Sequence, residues 1–146
     1  MALPEPVPGL VIRYSYLWHS EHREGREEGQ KDRPCAIVAA IHSDATGAKR
    51  VLVLPVTHSA PQDTKLAVEI PSRVKERLGL DAARSWVVLS EWNEFAWPGP
   101  DLRRAPGGNE HSVVYGMLPP GLFNSIRNLF LSLTARGSAQ RVPRTE

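Results

Sequence analysis

Two polar side chains at the ends of neighbouring apolar segments are the most informative feature of this chain. Arg33 opens an apolar run over residues 35–41, and Thr57 closes the run over 50–56 that follows the turn-forming residues 43–47. A guanidinium can donate two parallel hydrogen bonds to a phosphate and keeps its charge near neutral pH, and a hydroxyl can add another donor. The pattern predicts a hairpin in which both side chains bind one phosphate.

RNA is a phosphate-bearing substrate that carries its own nucleophile. Its 2′-hydroxyl attacks the adjacent phosphorus when a base removes the proton and a cation stabilises the charge growing on the phosphoryl oxygens. Arg33 suits the cation role and Thr57 the donor role. For the acid-base group the first candidates are His58, next to Thr57, and His22, in the charged segment 19–32. Histidines in loops are also commonly plain solvated groups, so both interpretations stay open.

Flat aromatic side chains would let unpaired bases stack, each contact contributing about 1–3 kcal/mol. The segment 19–32, rich in charges and interrupted by glycine, is predicted to be a long mobile loop that closes over a bound strand. Tryptophans more often belong to a core, which is the alternative interpretation for each of them. The predicted RNA-binding residues are Trp18, Glu24, Lys31, Trp92, Asn93 and Trp97.

The elements that position these residues follow from composition and periodicity. With 146 residues, 41% hydrophobic and 23% charged, the chain is predicted to form one compact domain. A formal net charge of +2 permits a phosphate-bearing partner without demanding one. The proline-rich residues 1–8 are predicted to be an extended N-terminal segment, residues 9–137 to be the domain, and residues 138–146 to be a disordered tail.

Short strands and a terminal helix dominate the predicted secondary structure. β-Branched and aromatic runs predict strands at 10–18, 35–41, 50–56, 66–70, 85–92 and 113–115. Ser72 is predicted to cap one helical turn that runs through Arg77 and stops at Gly79. Leucine and isoleucine at spacings of three and four predict an amphipathic helix after Pro120 that ends before Gly137. The chain is therefore expected to be mainly β, with a strongly bent antiparallel sheet or partly open barrel and a C-terminal helix packed on it.

Cysteine usage and hydropathy indicate the compartment. Cys35 is the sole cysteine, which excludes an internal disulfide and suits a small buried hydrophobe. The chain does not begin with a secretion-like segment, and no apolar stretch approaches the roughly 20 residues that a bilayer span requires. These patterns predict a cytoplasmic protein without a membrane partner.

Four motifs in order resemble the PemK/MazF family of toxin–antitoxin toxins. They are GLVIRY at 9–14, KDRPCAIV at 31–38, LPVT at 54–57 and GML at 116–118, ahead of the terminal helix. The resemblance implies an SH3-like barrel, a homodimer, cleavage of single-stranded RNA without metal or cofactor, and neutralisation by a cognate antitoxin that covers the active groove. It also matches Arg33 to the family's catalytic arginine and Thr57 to the threonine that contacts the scissile phosphate.

The chain departs from that family at two places, and two other function classes compete. Residues 90–95 read SEWNEF where many members carry an acidic-Gln run followed by Arg and Asp, and His58 stands where a small polar residue is common. One alternative is a toxin that acts by protein contact, similar to the CcdB gyrase inhibitors, although the chain lacks their Trp-Gly-hydrophobic ending. The other is a catalytically inactive interaction module.

Overall fold

The computed structural model describes residues 3–26, 29, 31–42, 47–106 and 112–144. Within these residues the chain forms nine β-strands, three α-helices and a 3-10 turn, Thr64–Leu66. The strands are β1 Leu10–Ser15, β2 Asp32–His42, β3 Lys49–Thr57, β4 Ala67–Glu69, β5 Trp86–Val88, β6 Glu91–Ala96, β7 Leu102–Arg103, β8 Val114–Met117 and β9 Gln140–Pro143. The helices are α1 His19–Arg23, α2 Ser72–Arg77 and α3 Pro120–Ala135.

These strands form one sheet in the order β4-β5-β3-β2-β1-β7, with β6 beside β3, β8 beside β1 and β9 beside β6. The β6–β9 pair is parallel, whereas β1, β2 and β3 pair antiparallel. β3 pairs with β6 through residues 50–53 and with β5 through residues 56–57. β3 therefore pairs with two different strands along its length, and the prediction of a mainly β chain with a C-terminal helix is confirmed.

Apolar side chains pack on both faces of β2 and β3, because successive residues of a strand point to opposite faces. Ala36 of β2 and Leu54 of β3 face a first core cluster, which α3 covers with Ile126, Phe130 and Leu133. Cys35 and Val53 face a second core cluster that includes Tyr14 and Phe95. The predicted amphipathic helix thus buries its apolar stripe against one face of the sheet, and burial raises the pKa of the Cys35 thiol.

The C-terminal segment predicted to be disordered instead contains β9, so that prediction is wrong over residues 140–144. Val142 is fully buried beside β6, and the guanidinium of Arg144 contacts the carboxylate of Asp101, with Nη2 2.8 Å from Oδ2. A polar tail is ordered here because distant parts of the chain supply its partners. Residues 145 and 146 lie outside the described residues.

The segment predicted to be a loop over 19–32 begins with the short helix α1. The carboxylate of Glu21 accepts a hydrogen bond from the backbone N–H of Trp18, 3.0 Å away, and this contact caps the first turn. Residues 27, 28 and 30 lie outside the described residues, as do 43–46 of the predicted hairpin turn. The helix α2 ends at Arg77 as the sequence predicts, but its N-cap residue is Pro71, and Ser72, predicted to be the cap, is the first helical residue.

The strand predicted over 85–92 is two strands, β5 and β6, which pair with different lengths of β3. The pairing register with β3 changes between them, from Val56 opposite Val87 to Val53 opposite Asn93. Among the described helices, none has the length and apolar composition needed to cross a bilayer.

Candidate functional site

An open cleft of about 610 Å³ lies where β2 begins and β3 ends. Basic, hydroxyl and imidazole groups from β1, β2, β3, α2 and the segment after α2 converge on it. Its lining residues are Arg13, Lys31, Asp32, Arg33, Pro34, Val56, Thr57, His58, Ser59, Lys75, Gly79, Leu80, Asp81, Ser85, Pro106 and Tyr115. Four residues predicted from the sequence are thereby brought together: Lys31, Arg33, Thr57 and His58.

Strand register places Arg33 and Thr57 side by side. Cys35 lies opposite Pro55 in the β2–β3 pair, and extending that register by two residues sets Arg33 opposite Thr57. Cys35 and Val53 face the same core cluster. Arg33 and Thr57 are separated from them by an even number of residues along their strands, so their side chains project from the same face of the sheet. The Nη1 of Arg33 donates to the carbonyl oxygen of Val56, 3.3 Å away. The guanidinium is thus held against the end of β3.

The Arg33 guanidinium keeps hydrogen-bonding capacity. Its Cζ lies 5.0 Å from the centroid of the Trp18 ring, and its Nε is buried with no hydrogen-bond partner in the described part of the chain. The neighbouring carboxylate of Asp32 lies 3.5 Å from Nε of Arg103 instead. Since no carboxylate among the described residues pairs with Arg33, its charge is available to an anion in the cleft.

The hydroxyl of Thr57 is oriented by the turn that follows β3. Its Oγ1 accepts a hydrogen bond from the backbone N–H of Ser59, 3.2 Å away. The hydroxyl proton remains available, because that bond uses a lone pair of the oxygen. Thr57 can therefore donate to an anion at the same place where Arg33 supplies charge.

A second polar group lies at the α2 side of the cleft. Nε2 of His58 is 2.8 Å from Oδ2 of Asp81, and Nζ of Lys75 is 2.8 Å from Oδ1 of the same carboxylate. The hydrogen bond from Lys75, with a smaller contribution from His58, lowers the pKa of Asp81. Asp81 is therefore ionised at neutral pH and accepts from both side chains.

The cleft carries a surplus of positive charge. Its carboxylates, Asp32 and Asp81, each contact a cationic side chain, whereas Arg13 and Lys31 form no ion pair within the described residues. Burial raises the pKa of Tyr115, which keeps its phenol protonated. A concave surface with a surplus of positive charge attracts anions, and a phosphodiester is such an anion. No group of three or more described His, Cys, Asp or Glu residues is arranged to hold a metal ion.

Three of the predicted RNA-contact residues are half-buried tryptophans, each packed against another side chain of the protein. Trp18 lies beneath Arg33 and against Tyr16, with ring centroids 5.1 Å apart. Trp92 packs edge-on against Phe130 at 5.3 Å. Trp97 lies 6.2 Å from Phe95, and none of the three tryptophans lines the cleft.

The predicted role of Asn93 in RNA binding is wrong, because its side chain is fully buried. Its Oδ1 accepts from the N–H of Leu17 at 2.9 Å and from Nη1 of Arg144 at 3.0 Å, and its Nδ2 donates to the carbonyl of Leu17 at 2.8 Å. The amide is a structural link between three segments. His22 and Glu24 are exposed on and just after α1, outside the cleft lining.

Sequence reasoning missed Arg13, Lys75 and Asp81 as cleft residues. Arg13 interrupts the apolar pattern of β1 and lies opposite Pro34 of β2. A charged residue within an apolar strand was therefore a sign in the sequence that could have indicated Arg13 as a cleft residue. Lys75 and Asp81 lie in a stretch rich in charged residues, which is typical of a solvent-exposed surface. Tertiary packing alone shows that Lys75 is buried beside His58 and Asp81.

Comparisons of this chain with protein-family models, with curated proteins and with solved structures find no match. The resemblance to the PemK/MazF family therefore rests on the four motifs and their order along the chain.

Proposed function

We propose that this chain is a toxin of the PemK/MazF type that cleaves single-stranded RNA. One observation carries the proposal: Arg33 and Thr57, from adjacent strands, line the same positively charged cleft with donors free for an anion. The same pair is the one that the motifs match to the family's catalytic arginine and threonine. Residues of this type and spacing suit a phosphodiester whose neighbouring 2′-hydroxyl is the nucleophile.

Arg33 and Thr57 stabilise the transition state in this proposal. As the 2′-oxygen approaches phosphorus, negative charge grows on the two non-bridging oxygens. The Arg33 guanidinium donates charge-assisted hydrogen bonds to one or both of them, and the Thr57 hydroxyl donates another. Donors fixed before the reaction reorganise little during it, which is the main source of rate acceleration at such sites.

His58 is the general base. Its imidazole takes the proton of the 2′-hydroxyl, the O2′–P bond forms, and the P–O5′ bond breaks with its electron pair going to O5′. Water in the open cleft protonates O5′. The products are a 2′,3′-cyclic phosphate and a 5′-hydroxyl, and the proton on His58 returns to solvent.

The remaining parts of the proposal concern fold type and partners. The pairing of β3 with two different strands along its length, with α3 packed on one face of the sheet, suits an SH3-like barrel. A toxin of this type acts in the cytoplasm as a homodimer, and its cognate antitoxin covers the groove. The basic lining of the cleft favours an antitoxin segment with acidic side chains.

The test is cleavage of a single-stranded RNA by the purified protein, with mapping of the new ends. The wild type is expected to cut and leave cyclic phosphates, and a 2′-O-methylated copy of the RNA is expected to stay intact because it lacks the nucleophile. Arg33→Ala is expected to lose activity by roughly 10²- to 10³-fold or more. Arg136→Ala removes an exposed arginine outside the cleft and serves as the matched control.

Equal cleavage by the wild type and folded Arg33→Ala would remove Arg33 from the site and overturn the proposal. A wild type that arrests bacterial growth without cutting RNA would instead favour a toxin that acts by protein contact. A wild type without either effect would favour an inactive interaction module.

A further inference from the structure

We propose that Asp81, fixed by the buried ammonium of Lys75, is the positioning residue that holds His58 in the tautomer required of a general base. This inference rests on the proposed ribonuclease function and names how its base is prepared. The juxtaposition is a line of three side chains, from Lys75 on α2 through Asp81 to His58 after β3.

Lys75 is the anchor of this line. Its side chain is 5% exposed, so its charge requires partners inside the protein. The ammonium donates to Oδ1 of Asp81 at 2.8 Å, to Oγ of Ser85 at 2.7 Å and to the carbonyl oxygen of Ala83. An ammonium has three N–H donors, and all of them are used here. The segment from Asp81 to Ser85 is thereby wrapped around one buried cation.

One oxygen of Asp81 is held by two donors, one from α2 and one from the backbone of the segment that follows it. Its Oδ1 accepts from the backbone N–H of Ala83 at 3.2 Å as well as from Lys75. Because the Lys75 ammonium lowers the pKa of Asp81, the carboxylate stays ionised when the cleft is near neutral pH. Its second oxygen, Oδ2, is then the one that meets His58.

The contact with Asp81 decides which ring nitrogen of His58 carries the proton. Nε2 lies 2.8 Å from Oδ2, and a carboxylate only accepts, so in the neutral imidazole Nε2 is the protonated nitrogen. The lone pair then lies on Nδ1, which takes the 2′-hydroxyl proton. The imidazolium formed in that step keeps its Nε2–H bond to Asp81, whose negative charge stabilises it.

Exposure alone would make this contact weak, since the side chains of His58 and Asp81 are 62% and 56% exposed. Ion pairs between two flexible, exposed side chains generally contribute little. Here one partner is fixed by a buried cation and a backbone N–H before His58 approaches. The surrounding charges, from Arg13, Lys31 and Arg33, attract the phosphate and leave Asp81 as the carboxylate that faces the imidazole.

Two readouts test the inference, one of them independent of catalysis. The first is the ring ¹⁵N spectrum of His58 at alkaline pH, where an ordinary imidazole is neutral, assigned with His58→Ala. The wild type is expected to show a single tautomer protonated on Nε2, and Asp81→Asn a mixture. The second is steady-state cleavage of RNA, with kcat and KM measured separately.

Asp81→Asn is expected to lower kcat by roughly 10-fold or more with little change in KM, and His58→Gly by roughly 10²-fold. Added imidazole is expected to restore part of the rate of His58→Gly and none of the rate of Arg33→Ala. Glu69→Gln, which removes an exposed carboxylate paired with Arg84, is the matched control and is expected to leave the rate unchanged. Lys75→Met is also expected to lower kcat. If Lys75→Met unfolds the protein, the result for Asp81→Asn alone decides the test.

Three results would overturn the inference. Unchanged kcat in a folded Asp81→Asn variant, or a wild-type His58 with mixed tautomers, removes Asp81 as the positioning residue while leaving cleavage by Arg33 and Thr57 intact. A wild type that cuts no RNA overturns the ribonuclease proposal itself, and the catalytic role of Asp81 falls with it. The spectrum of His58 then shows separately whether the contact exists in solution.

Discussion

The guanidinium of Arg33 lies over the indole ring of Trp18, with its Cζ 5.0 Å from the ring centroid. This stacking orients the guanidinium without using its N–H donors, which a bound phosphate needs. Trp18→Ala is therefore expected to lower kcat/KM for RNA cleavage by roughly 10-fold, because small displacements of a binding group are costly. Trp18→Phe retains an aromatic face and should retain most of the activity.

The control for Trp18 is Trp97→Phe, which alters an aromatic side chain packed against Phe95 outside the cleft. Circular dichroism establishes that each variant is folded before cleavage is measured. If folded Trp18→Ala cuts RNA as fast as the wild type, the ring does not position Arg33.

Thr57→Val tests the hydroxyl that points into the cleft. Valine keeps the shape of threonine but cannot donate to a phosphoryl oxygen or accept from the N–H of Ser59. The cleavage rate is expected to fall by roughly 10²-fold, whereas Thr57→Ser should stay within a few-fold of the wild type. Thr64→Val, in the 3-10 turn away from the cleft, should leave the rate unchanged, and loss of activity in Thr57→Ser as large as in Thr57→Val would contradict the hydroxyl role.

The environment of Glu91 is expected to make the free energy of unfolding depend on pH. Burial raises the pKa of Glu91, although the N–H of His19 at 2.9 Å and the hydroxyl of Tyr16 at 3.1 Å donate to its Oε1. The folded state then holds the proton more tightly than the unfolded state. The stabilisation that comes from protonated Glu91 is complete below the pKa of this residue in the unfolded state, and it is lost as pH rises through its pKa in the folded state.

Glu91→Gln keeps an oxygen acceptor and removes the charge. The free energy of unfolding of this variant, relative to the wild type, is therefore expected to increase between about pH 4 and about pH 7. Urea denaturation at a series of pH values measures it. Glu69→Gln should show the opposite slope, confined to pH values below about 5, because the contact with Arg84 lowers the pKa of Glu69. A constant difference for Glu91→Gln across that range would contradict the expectation.

The buried contacts of Arg144, just after β9, are expected to contribute strongly to the free energy of unfolding. Its side chain is 1% exposed, with Nη2 2.8 Å from Oδ2 of Asp101 and Nη1 bonded to the carbonyl of Ser15. Arg144→Ala removes the cation from a buried pair and is expected to reduce the free energy of unfolding by about 3–5 kcal/mol. Arg141→Ala, whose exposed guanidinium lies 3.8 Å from Glu94, should cost less than about 1 kcal/mol in the same urea titration. Equal effects of the two substitutions would refute a structural role for the buried pair.

Local patterns predicted the elements that local physics determines. Pro71 before the first turn and Gly79 after the last give α2 its start and stop, and apolar residues at spacings of three and four give α3 its buried face. The apolar runs that end at Arg33 and Thr57 were recognisable because a buried strand excludes charge except at its ends. Antiparallel pairing, with Cys35 opposite Pro55, then brings those two ends to the same edge of the sheet.

Long-range contacts determined what the sequence could not show. Asn93 looks like a surface amide, yet Leu17 and Arg144 supply partners that make its burial favourable. β9 looks like a polar tail until β6 pairs with it. Lys75 and Asp81 reach the cleft only because α2 packs beneath the end of β3, and no spacing in the chain encodes that contact.

The most direct test of a phosphate bound jointly by Arg33 and Thr57 is a crystal structure with a single-stranded oligonucleotide whose cleavage site carries a 2′-deoxy sugar, which removes the nucleophile. One phosphate is expected to have non-bridging oxygens within about 3 Å of both the Arg33 guanidinium and Thr57 Oγ1. An oligonucleotide bound with all of its phosphates away from these two groups would contradict it.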